Sequence, residues 1–360
     1  MRLISGKCVG AVAVALGIGA LVTIQTRAQQ TEATVPEIRP ATELAAALYD
    51  PDPDVRRAAA NDLIRHGPAA TPALTPLLNA LRDPDVLLRA HASAALGKMG
   101  PIAVPALAQA LSDPETWVRR GAAAALLHHR SATDESIAAL IAALDDVDIA
   151  VREQSAQALA VYGAPAIAAL KTALVQGSPM ARQLAATALG ETSDLSRLPP
   201  LVAALADPDV EVRRSVALAL SYAGRLAIND LVEALRGPNP DARLAAADAL
   251  YRMGPAAESA QEALAEALAE DSPSLRIRVA GALALIGPKA TAAVKPLHAL
   301  LKDDDETVRL AAAEALGRIG REARPAVPTL LELQADAAAA VRRAATRALQ
   351  LIVFDGNRRG

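Results

Sequence analysis

From residue 41 onward, apolar and polar positions repeat one phrase ten times. "DPDVEVRRSVALALSYAG" at 207–224 stands beside "DPDPDVRRAAANDLIRHG" at 50–67 and "DDDETVRLAAAEALGRIG" at 303–320. Each phrase opens on an acidic turn and an Arg preceded by an apolar residue; small and apolar residues then recur three and four apart. Aligned on that Arg, the copies fall at Arg56, Arg89, Arg119, Arg152, Arg182, Arg213, Arg243, Arg276, Arg309 and Arg342, spaced by 30 to 33 residues. Leu stands seven residues after each of them, at Leu63, Leu96, Leu126, Leu159, Leu189, Leu220, Leu250, Leu283, Leu316 and Leu349. Gly stands eleven after in seven copies: Gly67, Gly100, Gly163, Gly224, Gly254, Gly287 and Gly320. The three-and-four spacing predicts an amphipathic helix in each copy, and the fixed period predicts a repeat architecture.

Every part of the unit has a physical task. In Asp83-Pro84-Asp85 the first Asp and the Pro set a tight turn, and the second Asp caps the next helix. Leu at the seventh position joins the buried stripe, and Gly is expected to end the helix in a left-handed cap, often with Pro following. A further short helix, such as 104–112, lies between each Gly and the next acidic turn. Each unit is therefore a helical hairpin. One hairpin cannot bury its own apolar face, but a stack of them can.

Composition sharpens this picture. Hydrophobic residues make up 52% of the chain and aromatic residues only 2%, so the apolar mass is Ala, Leu and Val. Small side chains let helices approach closely, and few alternating β-branched runs occur, so the fold is expected to be all-α. Residues 1–28 carry Arg2, Lys7 and Arg27 and no acid; without them 34 basic face 40 acidic side chains, a net of −6. That balance offers no basic footprint for nucleic acid.

Residues 8–24 form an apolar run after a basic start, with Thr26 and Ala28 placed as in a signal peptide cleaved after residue 28. The alternative is an uncleaved anchor, since seventeen such residues just span a bilayer. Cys8 is the single cysteine and precedes the run, which argues against lipoprotein processing and leaves the mature chain without a disulfide. The expected layout is a signal peptide at 1–28, a polar linker at 29–40, a repeat region at 41–354 and a tail at 355–360.

The consensus D-P-D-x-x-V-R-x-x-A-A-x-A-L-x-x-x-G resembles the short bacterial HEAT-like repeats, the type also found in phycobilisome lyases. The resemblance covers 41–354 and implies a right-handed α-α superhelix of about ten hairpins. In such families the recurring Arg is structural and pairs with an Asp near the inter-helix turn. The matching positions here, six before the Arg, are Asp50, Asp83, Asp113, Asp146, Asp207, Asp303 and Asp336, while Gln176, Gly237 and Glu270 depart. The resemblance thus implies a ladder that weakens around repeats five, seven and eight.

Catalytic signatures are sparse. No His-Glu pair occurs among His66, His91, His128, His129 and His298, although the di-iron branch of HEAT-like families uses such pairs. The single Gly-x-Gly, at Gly17-Ile18-Gly19, lies in the leader. No enzyme activity, metal or cofactor is expected. A pigment-lyase role fits poorly with a secretory leader.

What remains is surface. In HEAT-like stacks the Arg-bearing helix lines the concave side, which makes positions one, five and nine after the Arg the expected contact face. Trp117, the only Trp, stands where other copies have Glu211, Asp241 and Thr307, and Tyr222 stands where charge or polarity is usual. Trp117, Arg120, His91 and His128 fall on adjacent copies and could form one binding patch, an exposed aromatic with Arg being the make-up of a hot spot. The expected role is a non-catalytic extracytoplasmic scaffold for a protein or peptide partner. It would touch a membrane only if 8–24 is retained. The final helix would leave Leu349, Ile352 and Phe354 facing nothing, unless it folds back or docks.

Overall fold

The computed structural model describes residues 39–129 and 132–353. Among them twenty α-helices follow one another as ten pairs, with no strand. The first helices of the pairs are α1 (Ala41–Ala47), α3 (Leu74–Ala80), α5 (Val104–Ala110), α7 (Asp134–Ala142), α9 (Ala164–Gln176), α11 (Leu198–Ala203), α13 (Ile228–Arg236), α15 (Gln261–Ala267), α17 (Val294–Leu300) and α19 (Val327–Glu332). The second, Arg-bearing helices are α2 (Pro53–His66), α4 (Val86–Lys98), α6 (Thr116–His128), α8 (Ile149–Tyr162), α10 (Pro179–Glu191), α12 (Val210–Tyr222), α14 (Pro240–Met253), α16 (Pro273–Ile286), α18 (Glu306–Ile319) and α20 (Ala339–Val353). Each second helix packs on the next, from α2 through to α20, which makes the whole a superhelical solenoid.

Local chemistry explains where the second helices start. The Asp85 carboxylate accepts the Leu87 and Leu88 N–H groups at the head of α4, and Asp148 accepts those of Ala150 and Val151 at the head of α8. Ser178, Asn239 and Ser272 do the same for α10, α14 and α16. These side chains satisfy donors that no helical carbonyl can reach. Two heads lack such a bond: Glu115 before α6 makes none, and Ala338 before α20 has no polar side chain to make one.

The helix ends depart from expectation. The seven glycines do have positive φ. Yet Gly67 lies at φ 53°, ψ −127° and Gly100 at φ 82°, ψ −165°, whereas a left-handed helical cap needs ψ near +45°. These glycines are corners instead of left-handed caps, in a region that only Gly enters readily. They turn the chain into 3-10 segments such as Gly67–Ala73 and Pro101–Ala103, which lead into the following first helix. Repeat five has Ser193 in place of the Gly. There the buried Arg197 donates to the carbonyls of Thr192 and Asp194, satisfying groups at the end of α10. Arg130, in the corresponding place of repeat three, lies outside the described residues.

The two layers pack with different side chains. Leu77, Leu107, Leu140, Leu170, Leu201 and Leu231 are fully buried in the first helices, whereas Ala dominates the contacts between second helices. Gly190 on α10 comes so close to α12 that a Cβ there would lie 2.7 Å from the Ala219 Cβ. On Gly317 of α18 it would lie 2.9 Å from the Ala348 Cα. Both layers bury Leu, but second helices meet one another through Ala and Gly more closely than first helices do, which makes each repeat a wedge with the second helices inside. At the far end Leu349 and Ile352 are buried against the stack, contrary to the expectation that they would face nothing. Phe354 lies outside the described residues, as do 1–38. Among the described residues no helix is long and apolar enough to cross a membrane.

The close approach yields a test with a counter-intuitive sign. Helix propensity alone makes Gly→Ala favourable by about 1 kcal/mol in a helix interior. At position 190 the added methyl meets backbone that cannot give way, so Gly190→Ala is expected to destabilise by about 1–3 kcal/mol in a urea unfolding curve.

Candidate binding groove

Along the edge where the second helices begin, the recurring Arg makes two kinds of bond. Arg56 Nη1 donates to the main-chain carbonyl of Asp50 in its own repeat, at 2.7 Å. Its Nε donates to the carboxylate of Asp83, at the head of the next repeat, at 3.1 Å. Asp83 in turn accepts the Asp85 N–H at 2.9 Å, which closes the turn before the cap. The same arrangement joins Arg119 to Asp146, Arg182 to Asp207 and Arg309 to Asp336, and Arg276 reaches Asp303 with Nη1 while its Nε donates to the Glu270 carbonyl. These pairs are mostly shielded, and planar Arg–carboxylate forks of this kind fix geometry as well as charge.

Each departure in sequence has a local consequence. Where Gln176 replaces Asp, Arg152 keeps its carbonyl bonds to Asp146 and Val147 and has no carboxylate on the next repeat. Where Gly237 does so, Arg213 turns to Asp241, at 3.3 Å. Glu270 meets Arg243 only at 3.6 Å. One further rung is missing although both residues are present. Asp113 is taken by Arg82, and the Arg89 guanidinium sits 4.5 Å from the centre of the Trp117 ring. Trp117 occupies the position that Asp241 has in its own repeat, so an aromatic face replaces a carboxylate as the partner of the recurring Arg.

The inner face carries a groove of about 580 Å³ across α12, α14, α16 and α18. Its floor is a fixed cluster. Asp248 on α14 accepts from Arg252 at 2.8 Å and from Arg278 of the next repeat at 3.2 Å. Arg278 also lies over the Tyr251 ring, 5.0 Å from its centre. Tyr251 leans across α16 because Gly281 leaves room: a Cβ there would come within 3.1 Å of the ring. Leu244, Ile277 and Val210 supply apolar wall, and Arg214, Asp241 and Glu314 stand at the rim. Apolar contact beside a few fixed polar groups is the make-up of a recognition site. Among the described residues no group of three or more potential metal ligands forms.

The family model for HEAT repeats matches residues 41–128, 74–160, 104–190, 137–221, 167–250, 198–276 and 261–350. The chain belongs to the HEAT-repeat family. Among solved structures, it is similar to the karyopherin Kap95p in a study of RanGDP, with 14% identity and a TM-score of 0.53, covering 92% of this chain and 53% of that one. It is likewise similar to the karyopherin Kap121p bound to the extreme C-terminus of the protein phosphatase Cdc14p, with 14% identity and a TM-score of 0.52, covering 85% and 41%. The chain therefore spans about half or less of those relatives' length. An engineered protein matches at 23% identity with a TM-score of 0.39, covering 87% of this chain and 98% of that one. No curated protein matches.

In this HEAT-repeat stack only part of the expected patch comes together. Trp117 meets Arg120 at 4.8 Å as well as Arg89. Arg120 is also engaged with Asp148, donating from Nε at 2.8 Å and Nη2 at 2.5 Å. His91 is partly buried with Nδ1 enclosed, and His128 is exposed farther along α6. Among the described residues no ring contact or ion pair links either His to Trp117. Tyr222 is exposed on α12 but does not line the groove. The groove itself was not singled out from sequence, although Leu244, Asp248 and Arg252 occupy inner-face positions. Gly281, a glycine inside a helix at a position where the other copies have side chains, was the signal available.

The Arg120 fork holds the Asp148 carboxyl down to about 2. Arg309 likewise holds Asp336 below the usual carboxylate range. A carboxylate whose folded pKa lies below its unfolded value near 3.9 contributes stability above about pH 4 and loses it as pH falls toward 2. Asp148→Asn keeps the cap and removes the charge. It is expected to cost about 1 kcal/mol at pH 7 by chemical unfolding, with the deficit gone near pH 2.

Proposed function

We propose that this HEAT-repeat chain is a non-catalytic scaffold acting outside the cytoplasm, which holds a protein or peptide partner on its inner face. The groove across α12 to α18 carries this reading. Its Asp248, Arg252, Arg278 and Tyr251 are held by one another before any partner arrives, so little side-chain freedom is lost on binding. The same fold serves protein partners in the karyopherin structures, one of which holds a protein's C-terminal end. The extracytoplasmic placement rests on the leader-like pattern of residues 1–28. The closeness of the repeat type to that of phycobilisome lyases keeps one other role in view. A chromophore bound to the purified protein would bring it forward.

The test compares the full chain with a Leu244→Arg, Ile277→Arg variant in capture from envelope and soluble fractions. Both fold alike by circular dichroism if these side chains serve the surface alone. The expected outcome is a specific partner whose affinity falls at least tenfold in the variant, about 1.4 kcal/mol. Equal capture by both proteins sinks the groove as the binding face. Sequencing the N-terminus of the mature protein tests placement: a start at residue 29 fits release from the membrane, and an intact residue 1 in the membrane fraction means a tether.

A further inference from the structure

A second surface lies at the edge where the second helices begin, and it does not follow from the repeat. In repeats two to six the first two positions of these helices present Val86 and Leu87, Trp117, Ile149, Met180 and Val210. All six are between 40% and 66% exposed. The same positions hold Pro53-Asp54 in repeat one, Pro240-Asp241 and Pro273-Ser274 in repeats seven and eight, and Glu306-Thr307 and Ala339-Ala340 in the last two. The fold thus accepts polar or small residues there, and the large apolar ones occupy five consecutive repeats only. A contiguous exposed apolar row of this kind marks an interaction surface.

Its flanks say what fits. On the turn side stand Glu115 and Asp145, both exposed, beside the cap carboxylates, and the one Arg there, Arg82, is paired with Asp113. On the other side the two nearest cations are already engaged, Arg89 over Trp117 and Arg120 with Asp148 and the same ring. An anionic membrane or a nucleic acid would meet the acidic flank and be repelled. The row also has a period. Packed helices sit about 8–10 Å apart, so successive repeats offer one apolar site per such step. Residues seven apart on an α-helix rise about 10.5 Å, nearly the same step.

We propose that this row is a docking edge for an amphipathic helix of a protein partner, with apolar residues at heptad spacing and basic residues along one flank. The helix lies across the heads of α4, α6, α8, α10 and α12. Val210, which also lines the groove, is where this edge meets the inner face.

Trp117 is the only Trp in the chain and reports directly on this edge. The probe is a helical peptide of about 30 residues with Leu at five successive heptad positions and Lys on one flank. It is titrated into the full chain beside a scrambled peptide, a version with Glu for Lys, and phosphatidylglycerol vesicles. The expected result is a saturable blue shift of Trp117 emission with the Lys peptide. Affinity should be at least tenfold weaker for the Glu version and for a Leu87→Ser, Ile149→Ser, Met180→Ser protein with unchanged circular dichroism. Leu87→Ser alone serves if the triple variant misfolds, with a threefold or greater loss expected. The proposal is overturned by no shift, by equal binding of the scrambled or Glu peptide, by unchanged affinity in the variants, or by a response to vesicles without one to the peptide.

Discussion

A hairpin in this chain has no interior until a second hairpin lies against it, and the way the two meet decides the rest of the architecture. The second helices meet through Ala and Gly so closely that Gly190 and Gly317 leave no space for a methyl group. The first helices are held apart by Leu. The closer approach of the second helices is the source of the bend. The bend turns the second helices inward and gives them a concave face to share. Stability and shape thus come from one contact, which is why the chain reaches a large surface with almost no aromatic residues.

The recurring Arg adds register to that contact. Its carbonyl bond ties it to its own turn and its carboxylate bond ties it to the next one, so neighbouring repeats cannot slide or rotate freely. The bond to the next turn is weakened between repeats six and eight, where Gly237 removes a carboxylate and Glu270 reaches only to 3.6 Å. The groove opens there, with Arg213 and its substitute partner Asp241 in its lining. In these relaxed rungs the guanidinium stays as shielded as in the regular ones, but its carboxylate partner, Asp241 or Glu270, stands about half exposed. Two of the ladder's irregular rungs thus fall where the groove opens, while the others, at Arg89 and Arg152, lie in earlier repeats.

Much of this was legible because it is periodic. The Arg, the Leu seven after it and the Gly eleven after it specify the helix, its buried stripe and the corner that ends it. What stayed hidden crosses between repeats. That Arg56 takes a carboxylate from Asp83, 27 residues on, follows only from how two turns stack. The ψ of Gly67 is set by the 3-10 segment it enters, and the capping role of Arg197 arises because Ser193 cannot make that corner. Trp117 could be read as exposed, but its place between Arg89 and Arg120 could not, because Arg89 belongs to another copy.

The departures from the consensus also sort by region. Repeats two to six carry apolar residues at the helix heads; the groove spans repeats six to nine, of which seven to nine have polar or small heads. If these were neutral drift in a self-supporting stack, they would be scattered over both faces. They are segregated, with Val210 at the junction. A repeat protein whose packing is already satisfied by Ala, Leu and the Arg bonds can vary the exposed helix heads without loss of fold, whereas Leu244 and Tyr251 in the groove also pack against the core. The segregation therefore argues for two contact zones under separate demands, one along the edge and one within the curve.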